Sequence, residues 1–344
     1  MKARSTNIEW LRIIAMLMIV FSHFSYHGYS EMGGAKIITS TFNLSYLKLT
    51  FTGNLGTGLF MIITGYFLCK SEKLKIRRLL NVVIQVFTYS VLCYVLYTIV
   101  CGGGQFHPKE MFVALTPLIH ETNWYFSSYV LIYLFHPFLN RLILYLSRSE
   151  LRNLIVLMAI VWGMIPVFLF VKFNRSDFLF FAMMYFIGAY TRLYPEGKYM
   201  KVYKKVLLVS VLVWVAIASM PMWTTKQISD LASLFYMNGS PLVIILSTTL
   251  FLFFLSKKDI RQSGSVNTIA ACTGGIYLLH ENPYVRSILY TDIFHLERYM
   301  KSDLMSLYTI AFVITTFVVC AIAEYIRKSI YEGAVKIIIK ETKK

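Results

Sequence analysis

Apolar residues in this chain gather into long uninterrupted runs, with polar and charged residues confined to the segments between them. Ten runs are long enough, or nearly so, to cross the hydrocarbon core of a bilayer: 8–28, 52–70, 78–101, 122–146, 151–171, 177–194, 202–222, 240–256, 268–290 and 304–326. That core is about 30 Å thick, and a helix rises about 1.5 Å per residue. The run 52–70 is rich in glycine and 240–256 is short, so these two define their spans least sharply. No small-residue cleavage site follows the first run, which therefore reads as a retained span. The pattern predicts an all-α integral membrane protein of about ten transmembrane helices: a single polytopic domain over 1–332, then a basic tail over 333–344. Its first partner is the lipid bilayer.

Charge sets the orientation. With 34 Lys+Arg against 17 Asp+Glu, the formal net charge is +17. On a soluble protein that balance would point to nucleic acid. Here only 15% of residues are charged and 57% are hydrophobic, so the basic residues report topology and no nucleic-acid partner is expected. With the N-terminus inside, the inner segments 1–7, 70–78, 141–152, 192–205, 256–266 and 327–344 hold 24 of the 34 basic residues. No outer loop exceeds its inner neighbours. This alternation predicts both termini in the cytoplasm and a multi-pass protein of the cell membrane. The last segment is basic with apolar residues interspersed, which suits the anionic leaflet surface. The five cysteines form no CxxC pair and lie in or beside apolar runs, so they read as free thiols with neither disulfide framework nor zinc site.

The first run carries unexpected polarity. Glu9 and Arg12 stand near its start and His23 near its end. Arg12 and His23 are 11 positions apart, about 20° past three full helical turns, so they share a face about 16–17 Å apart along the axis. Isolated ionisable groups in hydrocarbon are expensive and usually face a protein-lined or wet cavity, which this helix should line. Glu9 and Arg12, at i and i+3, can pair structurally. Glu9 is about 21 Å from His23, so the partner of His23 must come from another helix. His27 shares the face one turn on, but a His-x3-His pair with no third ligand in view does not make a metal site.

Several stretches now bring a family into view. "IEWLRIIAMLMIVFSHF" resembles the opening of the membrane acyltransferase-3 family, with its acidic residue, Leu-Arg, ten residues and His. "GTGLFMIITGYFL" (56–68), "KIRRLLNVV" (75–83), "NWYFSSYVLIYLFHPFLN" (123–140) and "GGIYLLHENP" (274–283) are similar to four further segments of that family, in the same order. Two positions depart from the pattern: Gly58 stands where many members have Asp, and Thr64 where they have Ser. Many members also carry a secreted hydrolase-like domain after the spans. The chain stops without one, which implies direct transfer to the acceptor.

The resemblance implies transfer of an acyl group, most often acetyl, from cytoplasmic acyl-CoA to a hydroxyl of a surface or lipid-linked glycan. Acetyl-CoA is then a co-substrate, and no permanently bound cofactor is expected. Arg12, Lys75, Arg77 and Arg78 would receive the CoA phosphates at the inner mouth, arginine offering a rigid fork of donors. His23, neutral and desolvated, would act as general base on the acceptor hydroxyl. Thr64, Tyr66, Trp124 and Tyr277 are open candidates for stabilising the oxyanion, and His280 is a further candidate for the same cavity. Succinyl-CoA is a variant donor, which would require a basic residue in the pocket. A transporter would also need many spans and intramembrane charges, but only Glu9, Glu281 and Glu324 lie within the runs, few for an ion-coupling site.

Overall fold

In hydrocarbon every backbone N–H and C=O must be satisfied within the protein, and apolar runs of this length do so by becoming helices. The computed structural model describes residues 5–34, 37–101, 105–169, 176–195, 199–257 and 262–341, with backbone only for 199 and 334–341. Among the described residues there is no strand.

Helix α1 (Thr6–His23) continues as a π-helical stretch over Phe24–Gly34. There follow α2 (Thr41–Leu49), α3 (Gly53–Leu68), α4 (Ile76–Val100), α5 (Pro108–Leu115) and α6 (Trp124–Tyr145). Helix α7 (Arg148–Met158) runs on through Ala159–Met164 and Ile165–Phe168. Then come α8 (Asp177–Leu193), α9 (Tyr199–Ser219), α10 (Lys226–Ala232), α11 (Pro241–Ser256), α12 (Gly264–Ala270), α13 (Thr273–His280), α14 (Pro283–Ser287) and α15 (Met305–Glu341). Local signals set the starts. Ser40, Ser147, Ser176, Thr225, Ser240 and Ser263 each accept a hydrogen bond from a backbone N–H in the first turn, a cap contributing about 1 kcal/mol.

Among the described residues, six helical segments are long and apolar enough to cross a membrane, or seven if the pair bent by 48° around residues 237–240 counts as one. The remaining expected runs take other forms. The run 122–146 becomes α6, whose buried Ser127, His136 and Asn140 dilute its apolar character. The run 177–194 becomes α8, which has 17 residues. The run 268–290 is not one helix: it breaks at Ala271–Cys272 and again at Glu281–Asn282, where Asn282 caps the helix that Pro283 opens. At the far end α15 passes residue 333 without a break, and residues 342–344 of the expected basic tail lie outside the described residues.

The centre of the bundle is α3, which packs against α1, α8 and α11. Small residues allow this closeness. A Cβ on Gly65 would lie 2.1 Å from the carbonyl oxygen of Tyr185, and one on Gly188 would lie 2.1 Å from that of Ile62. With no side chain between them, α3 and α8 meet backbone to backbone. Helices α9 and α15 stand at the periphery and turn Leu208, Val209, Leu212, Val319 and Ile322 outward, the surface a bilayer would cover.

Candidate functional site

Helix α1 presents Arg12, Met16, Ile19 and His23 on one face. The first three line a cavity of about 360 Å³. Its other walls are Phe60, Ile63 and Thr64 of α3, Gln85 of α4, Tyr125, Phe126 and Tyr129 of α6, Thr273, Gly274 and Tyr277 of α13, and Lys328 of α15. A second hollow of about 510 Å³ shares Val82, Gln85, Ala271 and Lys328 with it and adds Arg77, Asn81, Glu324 and Arg327. The two adjoin along the four shared residues, and this passage of paired hollows has a cationic part and an aromatic part.

Beyond the aromatic part lies a polar cluster. Tyr277 lines the cavity, and its ring centroid is 5.8 Å from that of His23. His23 itself is not part of the cavity lining and keeps 14% side-chain exposure. Its Nδ1 lies 2.9 Å from Nε2 of His280 and 2.9 Å from Oε2 of Glu281. The break after α13 makes this possible. His280 ends the helix and Glu281 caps it, so two adjacent residues reach the same imidazole from the helix terminus.

The hydrogen bonds fix the tautomers. Nδ1 of His280 is 2.6 Å from the carbonyl oxygen of Ile276, which can only accept, so Nδ1 carries the proton. In the neutral ring Nε2 of His280 is then an acceptor, and it takes its bond from Nδ1–H of His23. Oε2 of Glu281 makes no hydrogen bond of its own but lies at ion-pair distance from the same nitrogen, where its negative charge is met better by an N–H than by a lone pair. Both partners therefore demand a proton on Nδ1 of His23 and leave its Nε2 as the free lone pair.

Glu281 also joins a set of charged side chains beyond the C-terminal end of α1. Its Oε1 lies 3.2 Å from Nε2 of His27 and accepts from Nη1 of Arg286 at 3.1 Å. Nδ1 of His27 is 2.6 Å from Oε2 of Glu31. Glu281 is almost wholly buried, and a carboxylate in such a place persists only when paired this way. His23, His280 and Glu281 offer ligand atoms within 4.8 Å of one another, but the 2.9 Å approach of the two imidazole nitrogens is that of a direct hydrogen bond.

The sequence-predicted residues separate cleanly. Arg12, Arg77, Thr64 and Tyr277 line the passage. Arg12 also lies 3.6 Å from Glu9, the expected structural pair. Lys75 and Arg78 are exposed beside Arg77 but outside the lining. His280 faces His23 and not the cavity. Tyr66 and Trp124 are not among the residues that line the passage. Tyr66 accepts a hydrogen bond from Arg192 at 3.0 Å and packs on Phe251, and Trp124 packs between Tyr125 and Phe181. Thr64 spends its hydroxyl proton on the carbonyl of Phe60 at 2.7 Å. Tyr277 remains, with a buried hydroxyl that has no hydrogen-bond partner among the described residues. The partners Glu281 and Arg286, and the passage residues Gln85, Tyr125, Tyr129, Arg327 and Lys328, were missed. Only the chain break signalled by "HENP" could have shown that residues 280 and 281 act together.

A family profile described as an acyltransferase domain matches residues 5–324. The chain belongs to the acyltransferase-3 family. No curated protein and no solved structure matches it. Membership makes acyl transfer the general activity of this membrane acyltransferase. The matched region carries the whole His23–His280–Glu281 cluster, and Gly58 faces Met184 and Ser247, away from the cavity.

Proposed function

We propose that this acyltransferase moves an acetyl group from cytoplasmic acetyl-CoA to a hydroxyl of a cell-surface or lipid-linked glycan, with His23 as general base. The reading takes ten crossings of the cell membrane with both termini cytoplasmic, so that the cationic mouth faces the CoA pool. The observation that carries it is the commitment of Nδ1 of His23 as a donor, which leaves Nε2 as a lone pair beside Tyr277.

The step balances without outside help. Nε2 of His23 removes the acceptor proton as the hydroxyl oxygen attacks the thioester carbon. A carbon–oxygen bond forms, and the tetrahedral oxyanion takes a hydrogen bond from Tyr277. The carbon–sulfur bond then breaks, and His23 returns the proton to the CoA thiolate. Glu281, 2.9 Å from the protonated nitrogen, steadies the imidazolium meanwhile. Arg12 lies about 16–17 Å below His23, a span suited to a phosphate at one end and a thioester at the other. Around Tyr277 the walls are aromatic, with Tyr125 and Phe126 at 5.4 and 5.7 Å between centroids. Such walls suit a short uncharged acyl group better than succinyl.

The test is transfer of radiolabelled acetyl from acetyl-CoA to envelope glycan in membrane vesicles. His23→Ala should insert normally and abolish labelling. Labelling at the wild-type rate would overturn the base assignment.

A further inference from the structure

Glu324 is a carboxylate that the sequence places inside an apolar run, and the transfer step does not use it. It is 2% exposed. Its oxygens accept from Tyr89 Oη at 2.6 Å, from Gln85 Nε2 at 3.0 Å, and from Nε and Nη2 of Arg327 at 2.7 and 2.8 Å. Gly275 leaves the room: a Cβ there would fall 2.4 Å from a Glu324 oxygen. Four hydrogen bonds converging on one carboxylate make a rigid anchor.

What the anchor holds is the place where the mouth narrows into the cavity. Gln85 lines both hollows, Arg327 lines the mouth, and Lys328 lines both. The fork to Glu324 uses two of the five guanidinium N–H donors of Arg327 and leaves the others for a ligand. Gln85 gives an N–H to Glu324, so its amide is held in one orientation with the carbonyl oxygen as a remaining acceptor. Gly274 faces this amide without a side chain, its Cβ position lying 3.8 Å from Oε1 of Gln85. The passage is bare on that side.

We propose that Glu324 is a positioning residue for a two-part donor collar, in which Arg327 and Lys328, with Arg77, receive the phosphates of the CoA nucleotide and Gln85 accepts from an amide N–H of the pantetheine arm. This rests on the acyl-CoA reading above. Residues 327 and 328 lie just beyond the stretch matched to the family, so the collar joins wall residues inside that stretch to side chains of the last helix. Glu332 also lines the mouth, and its negative charge narrows the cationic surface to the side that carries Arg77, Arg327 and Lys328.

The experiment is calorimetric binding of CoA and of pantetheine, which lacks the nucleotide and its phosphates, to the purified full chain. Arg327→Ala should raise the Kd for CoA about ten- to a hundredfold, the loss of charge-assisted bonds, and leave that for pantetheine unchanged. Gln85→Ala should weaken both ligands by the same factor. Glu324→Gln keeps the local shape but loosens both Arg327 and Gln85, so it should weaken CoA more than pantetheine and leave neither at its wild-type Kd. CoA binding by the wild type with unchanged affinity in Arg327→Ala and Gln85→Ala would overturn the collar and leave the acyl-CoA reading standing. No CoA binding by the wild type would overturn that reading itself. Salt dependence of the wild type gives a check that needs no variant. CoA affinity should fall with salt while pantetheine affinity stays level, and equal slopes for the two would overturn the phosphate assignment.

Discussion

Replacing Tyr277 with phenylalanine removes one hydroxyl from the junction of the passage and the histidine cluster. The ring is 1% exposed and packs on His23, Tyr125 and Phe126, so the volume it fills is kept. The hydroxyl has no partner among the described residues. A buried polar group left without a hydrogen bond costs about 1–3 kcal/mol, so its removal should leave stability unchanged or raise it. Catalysis should move the other way. Loss of one preorganised oxyanion donor lowers kcat by about a hundred- to a thousandfold, equivalent to about 2.7–4 kcal/mol of transition-state stabilisation. KM for acetyl-CoA should hardly change, because the developing charge exists only in the transition state. The assay pairs steady-state acetyl transfer in vesicles with thermal unfolding of the purified chain. A variant that keeps full kcat refutes the oxyanion role. A variant that loses activity and stability together also refutes the reasoning, since the hydroxyl would then be a structural bond.

Other perturbations test the remaining parts. Glu281→Gln keeps the shape but removes the charge that meets His23, His27 and Arg286; kcat should fall by at least about a hundredfold, and the chain should unfold several degrees earlier because Arg286 loses its partner. Both are read from transfer rate and a melting curve. Gly188→Ala forces a methyl group against the carbonyl of Ile62 and should destabilise by about 1–3 kcal/mol or more, seen as a lower Tm, whereas Gly264→Ala, with open space around it, should not. Tyr66→Phe removes only the hydroxyl bonded to Arg192 and should leave kcat within about twofold, checked in the same transfer assay.

The sequence showed what depends on local spacing and hid what depends on breaks. Arg12 and His23 could be placed on one face because a single unbroken helix fixes their phase, and the structure keeps them so. The basic mouth was visible for Arg77 for the same reason. That His280 and Glu281 meet at one imidazole was hidden because the run 268–290 looked like one helix, in which neighbours point about 100° apart. Once the helix stops at residue 280, that phase rule lapses and both side chains reach His23. Tyr66 and Trp124 lie off the passage lining for a different reason: a motif gives residue types, but which wall a side chain faces depends on the helix packed behind it. Here α8 and α11 take those faces, through Arg192, Phe181 and Phe251. Arg327 and Lys328 read as tail residues for a leaflet surface because nothing in their own segment says that α15 lines the passage at their level.

The direction in which the cluster is closed bears on why an intramembrane site can work with so few titratable groups. Ester formation from a thioester and an alcohol releases no net proton, since the one taken from the hydroxyl is returned to sulfur. Such a site needs a proton store and no proton wire. The chain from His23 through His280 ends on the carbonyl of Ile276, which can neither take up nor release a proton. That branch orients without conducting. On the other side Glu281 is held by His23, His27 and Arg286 together, so charge can be balanced locally while Nε2 of His23 is protonated. A transporter coupled to protons would need the opposite, an open relay from one face to the other. The arrangement therefore favours chemistry over coupling, and it does so through hydrogen-bond direction, a feature that the count of charged residues in the spans could only hint at.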